Sequence, residues 1–127
     1  MSKRIIETDE APAAIGPYSQ GVVVDGWVFT SGQVALDPAT GKLQGSDAAT
    51  QADRALRNIE AILEAAGAGL HRVVRVTVYL TNMDDFTAVN KVYAEHFGEA
   101  FPARVTVEVS RLPLGALVEI DAIARVG

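Results

Sequence analysis

The sequence predicts an α+β domain in which two helices lie on one face of a β-sheet. Three observations lead there. Asp25-Gly26 separates two short β-type segments, a strong two-residue hairpin signal. Two later segments carry one apolar stripe each at helical spacing. Three further segments alternate apolar and polar residues with the period of a strand. A helix with one apolar stripe must bury it. The economical solution is a two-layer sandwich in the order β-β-α-β-α-β-β. The 127 residues are enough for one such core, so 1–127 is expected to be a single domain.

The elements follow in order. Gln20–Val24 and Trp27–Ser31 form the hairpin. The next stretch, GQVALDPATGKLQGSD, is rich in Gly, Pro, Asp and Thr and reads as a loop with short β pieces at most. Ser46 or Asp47 is placed to cap a helix. Ala52, Leu56, Ile59, Ile62, Leu63 and Ala66 then share one face, with Arg54, Arg57, Glu60 and Glu64 on the other surface. Gly67 can end this helix in the left-handed conformation. His71–Leu80 is the clearest strand, with Val74, Val76, Val78 and Leu80 on one side. Phe86, Val89, Tyr93 and Phe97 mark the second helix, closed by Gly98. In Arg104–Ser110, Val105, Val107 and Val109 oppose Arg104, Thr106 and Glu108. In Leu117–Val126, Val118, Ile120, Ala122 and Ala124 oppose Glu119 and Asp121. The sheet face without helices is then expected to carry Arg104, Thr106, Glu119 and Asp121 beside Tyr79 and Leu117. That mixture suits a subunit interface better than a solvated surface.

Composition removes several function classes. The chain has no cysteine, so thiolate nucleophiles, disulfides and cysteine metal sites are excluded. His71 and His96 are the only histidines and neither has a companion at ligand spacing, so no metal site is expected. The formal net charge is −5 with no basic stripe, which disfavours nucleic-acid binding. The N-terminal segment lacks the apolar core of a signal peptide, and no stretch approaches membrane-span length. A cytoplasmic protein is expected. Catalytic-triad, Walker and dinucleotide motifs are missing from the sequence.

A few residues can carry chemistry. Arg104 has a guanidinium fork that matches a carboxylate, although a structural ion pair would explain it too. Glu119 interrupts the apolar run VEIDAIA. A carboxylate there is either paired with a cation or used for proton transfer through water, with partial burial raising its pKa. Glu108 and Asp121 compete for that role. Tyr18 and Ser31 flank the hairpin, Gly32 allows close backbone approach, and Asn90 lies beside the apolar stripe of the second helix.

Taken together, APAAIGPYSQG, TSGQVALDPATG, NIEAILEAAG, FPARVTVEVSRLP and VEIDAIA resemble the Rid/YjgF family in order and spacing, from Ala11 to Ala124. The resemblance implies a chorismate-mutase-like fold and a homotrimer whose sheets form a central barrel, with ligand held between subunits. It implies hydrolytic deamination of 2-imino or enamine acids, such as 2-aminoacrylate and 2-iminobutanoate, to 2-keto acids and ammonia. Arg104 would bind the substrate carboxylate and Glu119 would position water. Tyr18, Ser31, Gly32, Asn90 and Thr106 would line the substrate site. Thr106 stands where many members have cysteine; its backbone amide is expected to serve in place of a side chain. No redox step occurs, so no cofactor is expected. A non-catalytic binder of small carboxylates, a pathway-specific deaminase of aminoacrylate or aminomuconate-like compounds, and an endoribonuclease are the competing functions.

Overall fold

The computed structural model describes residues 2–127. Its elements are β1 (Arg4–Ile6), β2 (Gly21–Val24), β3 (Trp27–Thr30), α1 (Ala48–Ala65), β4 (Val73–Leu80), α2 (Phe86–Phe97), β5 (Ala103–Glu108) and β6 (Val118–Arg125). Strand β1 is an addition to the expected order. Its apolar signal is only Ile5-Ile6, too short to stand out from sequence, and it is held by pairing with β2.

The six strands form one sheet in the order β1-β2-β3-β6-β4-β5. Neighbours are antiparallel except β4 and β5, which run parallel across the α2 connection. The two-layer α+β sandwich is therefore observed. The barrel expected with it is not. The sheet is open, with β1 and β5 as separate edges. Closure would require pairing those edges. The two helices instead cover one face of an open sheet, which gives their apolar stripes a place to pack.

Local chemistry fixes the ends. Asp25 and Gly26 both have positive φ (52° and 80°), as a two-residue turn between right-twisted strands demands. Asp47 caps α1, its carboxylate accepting from the Thr50 amide at 2.8 Å. Leu56, Ile59, Ile62 and Leu63 of α1 are completely buried against Val28, Val76, Val78, Val118 and Ile120. Each such side chain contributes about 1.5–3 kcal/mol on leaving water.

One strand departs from simple alternation. Val73 pairs with Ala124 and Arg75 with Ile123, so Val74 is the extra residue of a β-bulge. Val73 and Val76 both point to the core, while Val74 is exposed. No helix among the described residues is long and apolar enough to cross a membrane.

Candidate functional site

The sheet register sorts the chemistry-bearing residues between two faces. Arg104 and Thr106 on β5 are level with Val76 and Val78 of β4. They therefore face the helix layer. Glu119 and Asp121 on β6 are level with Tyr79 and Thr77. They face the other way, with Val105, Val107, Phe29 and Trp27. The expectation that all four share one face is corrected. Alternation within a strand says which residues go together. Only the pairing with β4 says which set meets the helices.

Glu119 occupies a cleft of about 340 Å³ that Tyr18, Gly32, Gln33 and Leu114 also line. Gly32 is what leaves room for it. A Cβ at position 32 would lie 2.9 Å from the Glu119 carboxyl carbon. Among the described residues nothing hydrogen-bonds to the Glu119 carboxylate. Burial, with a smaller push from Asp121, raises its pKa above the ordinary carboxylate value. The competing carboxylates are engaged elsewhere. Asp121 accepts from the Tyr79 hydroxyl at 3.0 Å. Glu108 accepts from the Met83 amide at 2.7 Å and holds the turn before α2.

Arg104 lies in a second hollow, of about 390 Å³, with Asn90, Tyr93, Phe101 and Pro102. Its guanidinium carbon sits 4.7 Å from the centre of the Tyr93 ring and 5.5 Å from that of Phe86. No carboxylate among the described residues pairs with it. The aromatic faces steady the cation without neutralising it, so its donors stay free for an anion. Tyr93 is buried, and its hydroxyl is the one buried side-chain polar atom left without a partner among the described residues. The sequence shows it only as one more member of the apolar stripe of α2.

Thr106 stands two residues beyond Arg104 on the edge strand. The Val109 amide bonds the Leu80 carbonyl at 2.8 Å, which turns the odd-numbered amides toward β4. The Thr106 amide therefore faces the open edge. Ser31 is in neither hollow with Arg104 or Glu119. Its hydroxyl donates to the Ser19 carbonyl and its amide to that of Gln20, which ties down the segment carrying Tyr18.

Buried amide side chains, not picked out from sequence, hold the cleft walls. Gln20 donates to the carbonyls of Thr8, Ala11 and Pro12. Asn58, wholly buried in α1, donates to Val34 and Leu36 at 3.2 and 2.9 Å. A polar residue inside an apolar helix face was the available signal, because such a group must find partners. No group of three or more metal-ligating side chains occurs among the described residues.

Residues 8–126 match the family described as endoribonuclease L-PSP. The chain is 50% identical over 127 residues to a protein of Capra hircus named 2-iminobutanoate/2-iminopropanoate deaminase, covering all of this chain and 93% of the relative. It superposes with a TM-score of 0.96 on a Yersinia pestis protein of the conserved Rid family, at 48% identity, covering 98% of this chain and all of the other. The structure of Escherichia coli TdcF with bound serine is similar too, with a TM-score of 0.92, 42% identity and coverage of 98% and 99%.

Proposed function

The chain belongs to the Rid/YjgF family, and from that premise we propose that it is a deaminase hydrolysing 2-iminobutanoate, 2-iminopropanoate and related enamine-derived acids to 2-keto acids and ammonia. The observation that carries this reading is the Glu119 carboxylate. It is half-buried, free of hydrogen bonds to described residues and raised in pKa, in a cleft opened by Gly32.

The chemistry needs three things. The substrate carboxylate needs a cation, and Arg104 supplies an unpaired guanidinium on an aromatic shelf. The edge-facing amide of Thr106 adds a second donor, which does not depend on the side chain being cysteine. A water must then attack the imine carbon. On the protonated imine, the Glu119 carboxylate accepts a proton from that water as the C–O bond forms, which gives a neutral carbinolamine. Glu119 returns this proton to the nitrogen, and the C–N bond breaks as the carbonyl forms, the hydroxyl proton leaving with ammonia as ammonium. No electrons change hands, so the residues suffice without a redox group.

Arg104 and Glu119 lie on opposite faces of one sheet, on strands separated by β4. One chain cannot bring both to a small substrate. The proposed site is therefore shared between two copies, the Arg104 hollow of one facing the Glu119 cleft of the next. The helix-free sheet face supports self-association, because Ile5, Trp27, Phe29, Val105 and Val107 are all exposed there. A homotrimer is the proposed state. The endoribonuclease reading has less support, since the net charge is −5 and the Arg104 hollow offers one cation rather than a stripe.

The decisive experiment generates 2-iminobutanoate enzymatically and follows its decay with and without the protein, corrected for spontaneous hydrolysis. Acceleration supports the deaminase. Tight 2-ketobutyrate binding with no acceleration would favour a carboxylate-binding protein.

A further inference from the structure

Leu114 is an anomaly. It has φ 60° and ψ 21° in the short turn Pro113–Gly115, a left-handed conformation that a branched apolar residue adopts only under constraint. Glycine would fit this position without strain, and Gly115 beside it shares the positive φ. The leucine side chain is also 69% exposed, so core packing does not account for it. The chain thus holds an apolar side chain in a strained turn and shows it to solvent.

The surroundings give a reason. Leu114 lines the Glu119 cleft together with Ile15, which is 88% exposed. These are the two most exposed large hydrophobic residues among those described. Pro12, Val34, Leu36 and Pro113 add apolar surface to the same cleft, Gln33 is a polar member, and Glu119 is its only ionisable side chain apart from the Tyr18 phenol. Leu114 also borders a larger hollow of about 660 Å³ walled by Thr81, Ser110 and Arg111, so it forms the ridge that limits the cleft on that side.

Resting on the deaminase reading above, we propose that Leu114, with Ile15 in the same cleft, is the specificity-determining residue that receives the alkyl side chain of the imino acid. Carboxylate and imine are held by polar groups common to every substrate, so discrimination falls to the wall that meets the variable group. An apolar wall favours ethyl and isobutyl over methyl, because each added methylene leaves water. It disfavours a second carboxylate, because no cationic side chain lines the Glu119 cleft itself.

The test uses imines made in place by an L-amino-acid oxidase from alanine, 2-aminobutyrate, leucine and glutamate. Leu114→Gly and Leu114→Asn both tolerate the left-handed backbone, so both should fold. Leu114→Gly should melt at or above the wild-type temperature. It should lose about tenfold in kcat/KM for the isobutyl imine and much less for the methyl imine. Leu114→Asn should flatten the preference in the same way, and the glutamate imine should gain relative to the leucine imine. An unchanged chain-length profile in both variants, with hydrolysis intact, would overturn this proposal alone. Dissociation of Leu114→Gly by light scattering would also overturn it, making Leu114 an assembly contact. If the wild-type protein accelerates none of the four, the deaminase reading falls and takes the proposal with it.

Discussion

Gly32 and Glu119 are in mutual contact through an absence: a Cβ on Gly32 would come within 3.2 Å of the Glu119 Cγ and closer still to its carboxyl carbon. The glycine at the end of the first hairpin thus limits where the Glu119 carboxylate on the last sheet strand can sit.

Gly32→Ala should therefore displace the Glu119 carboxylate while leaving the fold intact, since residue 32 is on the exposed rim of the cleft. The expected result is a fall in kcat of at least about tenfold, a barrier increase of about 1.4 kcal/mol. Steady-state kinetics and a thermal melt on the same preparation check it. A normal rate would show that the carboxylate position is not critical.

Arg104 and Glu119 should separate binding from chemistry. Arg104→Ala should weaken 2-ketobutyrate binding by about 2–5 kcal/mol and nearly abolish turnover, with poor rescue by lysine. Glu119→Gln should keep most keto-acid affinity and lose about 10²–10⁴-fold in rate. Calorimetric titration and imine decay are the two readouts.

The opposite-face geometry adds a complementation test. Unfolding and refolding an equal mixture of Arg104→Ala and Glu119→Gln should restore activity, because about one cleft in four would combine two intact halves. A mixture as inactive as its parts would argue that each site lies within one chain.

The raised pKa of Glu119 predicts a pH dependence with a definite sign. The folded state holds this proton more tightly than the unfolded chain, whose ordinary value is 4.5. Nothing is lost below that value, where both states are protonated. Stability then falls as pH rises from it through the folded pKa, where the buried carboxylate ionises. Glu119→Gln removes this penalty. Its melting temperature relative to wild type should thus be higher at about pH 8 than at about pH 4. The gain should be small because the group is only half-buried. A gain independent of pH would mean that ionisation is not its cause.

Assembly is checked by size exclusion with light scattering, where a trimer mass is expected. Val107→Asp places a charge on the exposed helix-free face, level with Tyr79. It should shift the mass toward the monomer and abolish activity together. Active monomers would sink the shared site.

The sequence by itself determined the two helices, the hairpin and, outside β4, which residues share a face within a strand. These are local properties, set by apolar period, capping Asp47 and the positive φ of Asp25-Gly26. In β4 the sequence put Val74 with the core residues, and the bulge turns Val74 out. It also made Arg104 and Glu119 candidates through their residue types. What it did not contain in readable form was the side of the sheet each one takes. That depends on the parallel register of β5 on β4 and the antiparallel register of β6 on β4, which are contacts between distant segments. The bulge at Val74, the pairing of β1 and the open edges are of the same kind, because strand pairing is decided by partners and not by the strand's own pattern. The isolation of Glu119, the aromatic shelf under Arg104 and the strained turn at Leu114 arise from the same packing, which only the tertiary structure brings together.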